Sequence, residues 1–271
     1  MIGALPRKGQ GRQLALPLAA MLCLTAPARA EEPAVPLSAC SFQAMAPAAA
    51  LAVRDGRTLL LEDGREARLA GLDVPSGYAG GAARLQELIA GRPLILKRLG
   101  LDADRYGRLL VYAFTVEAGA ERSLQQALIA GGHARVSAQV GDRACASALL
   151  GEEAKARAAG AGLWREPAFR PQAADKPSEL LADLGRFALV EGKVLSVRDN
   201  TGTIYMNFGR RWSESFTVTI SKRNESTFKA AGLEPKSLAG RRIRVRGTLE
   251  LRGGPVIEAT RPEQIELAEL K

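Results

Sequence analysis

The chain is poor in the residues that most nucleophilic and metal enzymes need. It has one histidine, His133, and three cysteines, and beyond its first thirty residues no apolar run long enough to cross a membrane. A single histidine excludes a multi-histidine metal site and leaves His133 as the sole residue on which His–Ser or Cys–His catalysis could rest. His133 follows Gly131-Gly132, which reads as a helix stop, so its expected role is structural. The one apolar run, from Leu14 to Leu24, is too short to span a bilayer and contains Pro17.

That run is flanked as an export signal would be. Arg7, Lys8 and Arg12 precede it, and Ala28-Arg29-Ala30 supplies a small-residue cleavage site followed by Glu31-Glu32. Residues 1–30 therefore read as a signal peptide, and the protein as exported, periplasmic or secreted after cleavage near Ala30; a membrane anchor is the alternative. The signal carries four basic residues and no acid, so the mature chain keeps 34 basic against 29 acidic residues, +5 rather than +9. This mild basicity suits nucleic acid or another anionic surface without selecting either. Cleavage also removes Cys23. Cys40 and Cys145 remain, and in an oxidising compartment they are expected to form a disulfide. The competing reading takes Leu37-Ser38-Ala39-Cys40 as a lipoprotein processing site with Cys40 as a lipid anchor.

Hydrophobic periodicity divides the rest. Residues 31–50 are a Pro- and Ala-rich lead-in. Residues 51–165 carry five short strands with a helix inserted and two helices after them. Residues 166–184, with Pro167, Pro171 and Pro177, read as a linker. Residues 185–271 repeat the β-rich pattern around a helix near 224–231. The fold class expected is a β-rich α+β protein with two small five-stranded barrels of the oligonucleotide-binding (OB) type, the first with packed helices.

Residues 53–76 organise the first of these. Two strands meet at Glu62-Asp63-Gly64-Arg65, and a third ends at Asp73-Val74-Pro75. Together with Asp104-Arg105-Tyr106-Gly107-Arg108 and the closing Gly162-Leu163-Trp164, the stretches Val53-Arg54-Asp55-Gly56-Arg57-Thr58 and Arg68-Leu69-Ala70-Gly71-Leu72-Asp73-Val74-Pro75 resemble the staphylococcal-nuclease-like (thermonuclease) family. The resemblance covers about 110 residues. It implies an OB-type barrel and calcium-dependent cleavage of DNA and RNA.

Phosphodiester hydrolysis needs a base for water, a hard cation and guanidinium groups that offset developing charge. The resemblance assigns the guanidinium groups to Arg68 and Arg108, one metal carboxylate to Asp73, and a phosphate-contacting ring to Tyr106. Three departures follow. Arg57 replaces a metal-ligating aspartate, Ser76 replaces the glutamate base, and Ala138 and Val140 replace the tyrosines that stack on the base. A fixed positive charge at Arg57 opposes calcium. Asp55, two residues earlier on the same strand face, is the substitute metal ligand, and Glu62, Asp63 or Glu87 the substitute base.

The leading expectation is a degraded catalytic site converted to phosphate binding. Arg57, Arg68, Arg105, Tyr106 and Arg108 would be its ligand-binding set, with no cofactor. The alternatives are an active calcium-dependent nuclease using Asp55 and Asp73, arginines kept only for structural ion pairs, and an envelope module that binds other proteins. In the second barrel, Tyr205, Arg210, Arg211 and Trp212 suit stacking on unpaired bases. Arg242, Arg244 and Arg246 share a strand face, either as a nucleic-acid surface or as a solvated one. The partner expected is nucleic acid or a phosphorylated ligand.

Overall fold

Glu62-Asp63-Gly64-Arg65 turns the chain because Gly64 adopts a φ of +82°, open to glycine at little steric cost. The Gly64 amide donates to Leu61 O at 3.0 Å, and the strands on either side pair antiparallel. The computed structural model describes residues 1–3, 37, 40–100, 102–211 and 213–268. The chain divides into a unit Met1–Pro33, of which only Met1, Ile2 and Gly3 are described, and a unit Ala34–Lys271. The signal peptide with its cleavage site, and Trp212, lie outside the described residues. No described helix is long and apolar enough to cross a membrane.

The first half of the larger unit runs β1 (Gln43–Ala44), β2 (Ala50–Asp55), β3 (Thr58–Leu61), β4 (Glu66–Leu69), β5 (Leu72–Asp73), α1 (Gly80–Ile89), β6 (Ile95–Arg98), β7 (Leu109–Glu117), β8 (Ala120–Ser123), α2 (Leu124–Ala130), β9 (Arg135–Val136) and α3 (Arg143–Ala158). Seven of these strands form one sheet in the order β1-β6-β7-β4-β3-β2, with β8 on β7, while β5 pairs with β9. The sequence anticipated five. The additions are β1, inside the expected lead-in, the hairpin partner β8, and the short β5–β9 pair. Gln43–Ala44 pairs with β6 on one sheet edge and Ala50–Asp55 with β3 on the other, so one short stretch of chain touches both edges.

Alternating residues of this sheet (Leu59, Leu61, Leu69, Val111, Ala113) pack with Leu85, Leu128 and Leu149 of the helices. Ser123 caps α2 by accepting from the Gln126 amide, and Asp142 caps α3 by accepting from the Cys145 amide. Gly132 and Gly162 let two backbones meet: the Leu163 amide donates to Gly132 O at 2.8 Å, and a Cβ on Gly132 would lie 2.2 Å from Ala161 O. Cys40 and Cys145 are disulfide-bonded, tying the start of this half to α3 across 105 residues. A loop that long limits the unfolded chain by about 2–4 kcal/mol.

The second half contains β10 (Gln172–Ala173), α4 (Pro177–Leu180), β11 (Phe187–Lys193), β12 (Ser196–Asn200), β13 (Thr203–Asn207), β14 (Thr217–Ser221), α5 (Glu225–Ala230), β15 (Arg242–Thr248), β16 (Glu250–Arg252), β17 (Gly254–Glu258) and β18 (Ile265–Leu267). They form a four-stranded sheet, β10-β11-β15-β18, and a five-stranded sheet, β12-β13-β14-β17-β16. The fold is thus β-rich α+β with several sheets and five α-helices among the described residues, and none of those sheets closes on itself. The stretch read as a linker contributes β10, parallel to β11, and α4, whose Leu180 is fully buried.

Among the β15 arginines, Arg242 keeps its expected exposure and Arg246 overturns it. Arg246 is fully buried against Glu153 of α3, itself fully buried. Its Nη1 and Nη2 donate to Glu153 Oε2 and Oε1 at 3.0 and 2.9 Å, Nη1 also donates to Val136 O at 2.8 Å, and Nη2 contacts Glu266 Oε1. Arg157 of α3 reaches Glu153 and Glu266, and Arg244 reaches Glu266 and Glu191. Strand alternation placed these side chains on one face correctly, and on that face Arg246 is covered by α3 through Glu153. Burial acts to raise the Glu266 pKa, yet the charges of Arg246, Arg157 and Arg244 outweigh it and hold the carboxyl below its ordinary value.

Two outcomes are expected. Arg246→Ala removes the buried partner of Glu153 Oε1 and Oε2, leaving that carboxylate only Arg157 and the Val136 amide, and should cost about 3–5 kcal/mol, read as a lower urea midpoint; an unchanged midpoint would contradict the network. Because the folded Glu266 pKa is depressed, its contribution is present above about pH 4.5 and is lost as pH falls below it. Stability measured from pH 6 to pH 3 should fall less steeply in Glu266→Gln than in the parent protein.

Candidate functional site

The β2–β3 hairpin sets the first guanidinium. Asp55 Oδ1 accepts from the Arg57 amide at 2.8 Å, capping the tight turn. The Arg57 side chain runs inward: Nη1 donates to Leu72 O at 2.8 Å and lies 3.8 Å from Asp73 Oδ1. On the neighbouring strand Arg68 is register partner of Thr58, and β4 lies parallel to β7, directly after the 104–108 loop. Asp104 folds that loop. Its Oδ1 accepts from the Tyr106 and Arg108 amides at 2.9 and 3.1 Å, and its Oδ2 from Arg108 Nε and Nη2 at 2.8 and 2.6 Å.

Arg68 is the member without a partner. It is half-buried, and its side chain makes no hydrogen bond or ion pair among the described residues. Burial lowers its pKa, and the positive charges of Arg57 and Arg108 lower it further; Asp55 and Asp104 act in the opposite sense. The three guanidinium groups therefore lie near enough to repel one another, and the nearby carboxylates are engaged in the turn and the loop. Tyr106 stands beside them, 66% exposed, with Arg105 and Arg108 over its ring at 4.7 and 5.0 Å. Arg105 Nη2 also donates to Tyr106 Oη at 2.6 Å.

Asp73 is occupied by a residue the sequence reading missed. Arg135 of β9 donates through Nε and Nη2 to Asp73 Oδ2 at 3.0 and 2.7 Å, with both residues buried. Arg135 also donates to Phe187 O at 3.3 Å and lies 5.0 Å from the Phe187 ring centre. The signal available was an arginine between Ala134 and Val136, both fully buried, which demands a buried acid.

Calcium does not fit these groups. Asp73 is engaged by Arg135 and approached by Arg57, and Asp55 is spent on the turn, so a cation there would meet two guanidinium groups before two free carboxylates. Among the described residues, the close group of three possible ligand side chains is Cys40, Asp142 and Cys145, whose sulfurs are bonded to each other.

The remaining candidates fall elsewhere. Ser76 is exposed after Pro75, with no side-chain partner among the described residues. Asp63 is bound by Arg65 and Glu87 by Arg84, and Glu62 is exposed on the hairpin turn. Val140 lies in the core, its carbonyl accepting from Tyr112 Oη at 2.8 Å. His133 Nδ1 lies 3.0 Å from Tyr78 Oη; burial, and then the Arg84 charge, hold its pKa below the ordinary histidine value. In the second half, Tyr205 and Arg210 line a common cavity, while Arg211 turns outward to Glu214 at 3.4 Å.

Residues 68–166 match the model of the family described as staphylococcal nuclease homologue. They form a staphylococcal-nuclease-like domain. The match begins at Arg68, so the hairpin carrying Asp55 and Arg57 precedes it. Enzymes of this family are typically calcium-dependent, which makes the engagement of Asp73 the salient departure. No curated protein matches the chain. Among solved structures, an aspartyl tRNA synthetase from Entamoeba histolytica aligns at 14% identity with a TM-score of 0.27. That alignment covers 40% of this chain and 23% of the synthetase, and at this TM-score it carries no argument about the nuclease-like domain.

If calcium has no place here, millimolar calcium should leave the melting temperature within about 1 °C of its value in EDTA, because a ligand that does not bind the native state adds no stability. A clear calcium-dependent rise would restore the metal site.

Proposed function

We propose that the nuclease-like domain binds a phosphate-bearing ligand without metal and has a degraded phosphodiesterase site. The observation that carries this is Arg68, half-buried beside Arg57 and Arg108 and without a side-chain partner among the described residues. Guanidinium groups in mutual repulsion lower their energy by taking an anion, and their planar donors suit phosphate oxygens. Arg68 supplies the unoccupied donors, Arg57 and Arg108 add field from fixed positions, and Arg105 with Tyr106 forms an exposed edge where a nucleotide ring can stack.

Cleavage is disfavoured by the same groups. Asp73 cannot hold a hard cation while Arg135 grips it, and Ser76 has no base to make its hydroxyl a proton acceptor near neutral pH. Nucleic acid is the leading ligand class, through the domain's family. Export is part of the same proposal, supported by the Cys40–Cys145 bond, since such bonds persist in oxidising compartments. For the architecture, we read each half as a partly open OB-type barrel. β1 and β2 border opposite edges of the first sheet, and in the second half the chain passes from β11 directly into β12, joining its two sheets.

Binding of a fluorescent oligo-dT of eight nucleotides, in EDTA, tests this. Affinity should fall steeply between 50 and 200 mM salt as counterions are released. Arg68→Ala should weaken it about ten-fold, and millimolar calcium should produce no plasmid cleavage. Calcium-dependent cleavage abolished by EDTA, or an Arg68→Ala protein that binds as the parent does, would defeat the proposal.

A further inference from the structure

The second half holds a cavity of about 850 Å3 on one face of its five-stranded sheet, within the range of small-ligand sites. Strand alternation explains its chemistry. Ile204, Met206, Val218 and Ile220 belong to the core, and the alternate residues Tyr205, Asn207, Thr217 and Thr219 line the cavity. Arg198 stands opposite Tyr205 in the β12–β13 register, Arg210 enters from the loop after β13, and Arg252 from the β16–β17 turn.

No carboxylate-bearing residue lines this cavity. Arg252 shares its charge with Glu250 and Glu258 at 2.7 and 3.0 Å. Arg198 and Arg210 are exposed and make no ion pair among the described residues. The field inside is therefore positive, set beside the exposed face of an aromatic ring. One polar group is left over. Thr219 is only 5% exposed, and its Oγ1 has no hydrogen-bond partner. That hydroxyl is closed off from solvent, so Thr219 contributes to the cavity wall and not a bond to a ligand.

We propose that this cavity binds a nucleotide unit, with its ring against Tyr205 and its phosphate on Arg198 and Arg210. Positive charge without carboxylates excludes cationic ligands, and an aromatic face beside two guanidinium groups selects an anion that carries a flat ring. The unit belongs either to a free mononucleotide or to single-stranded nucleic acid. The site is separate from the Arg57–Arg68–Arg108 cluster and does not depend on it.

The test uses the full chain in EDTA with the Arg68→Ala substitution as background, so that a failure of the first site leaves this one measurable. Fluorescent oligo-dT of eight nucleotides and unlabelled AMP are the probes. Tyr205→Ala should weaken binding at least five-fold and Tyr205→Phe should restore it. Arg198→Ala and Arg210→Ala should each weaken binding and reduce the salt slope by about one. Oligo-dT binding ten-fold or more tighter than AMP identifies the strand as the source; equal affinities identify the mononucleotide. The proposal is overturned if neither probe binds, if Tyr205→Ala binds as its background does, or if a poly-glutamate peptide displaces the probe as well as AMP.

Discussion

One buried ion cluster couples the two β-rich halves. Arg246 of β15 is fully buried and meets Glu153 of α3, with Glu266, Glu191, Arg157 and Arg244 completing the charge balance. Unpaired charges at that depth would each cost several kcal/mol, so neither half can move from the other without exposing or stranding them. The cluster also holds β9: Glu153 Oε2 accepts from the Val136 amide at 2.5 Å, and Arg246 donates to Val136 O. Beside it Trp164, Leu163, Ala156 and Leu189 form an apolar patch drawn from both halves.

That constraint extends toward the candidate site through one strand. Val136 is fixed by the cluster, and its neighbour Arg135 grips Asp73 while leaning on Phe187 of the second half. A carboxylate that metal-dependent relatives would be expected to spend on a cation is here part of the support joining the halves. Arg57 then takes a compatible place, bonded to Leu72 O beside the same carboxylate. At Asp73 the contacts of the candidate site and the packing of the second half therefore meet.

The two candidate sites differ in kind. The first is electrostatic and shallow: three guanidinium groups, one of them without a partner among the described residues, beside an exposed tyrosine. The second is a lined cavity whose polarity comes from strand alternation, with hydroxyls and an amide on the face opposite the core. Both are positive and both lack a histidine or a free carboxylate pair, so both suit holding an anion better than transforming one.

Much of this was legible in the residues. The hairpin at Gly64, the helices near 80–89, 124–130 and 143–158 and the Cys40–Cys145 pairing follow from periodicity, turn chemistry and residue type, which are local properties or simple counts, and the nuclease-like stretches were legible through resemblance to a family. The substitutions at Arg57 and Ser76 were equally plain. What the chain could not declare is which charges meet at a distance. Arg135 finds Asp73 across 62 residues and Arg246 finds Glu153 across 93, and no local pattern encodes such partners. Alternation put Arg246 on the right face of β15 but could not say that α3 covers it. The sequence determined the elements and the chemical inventory; the tertiary structure decided which charges are spent on holding the protein together and which remain open to a ligand.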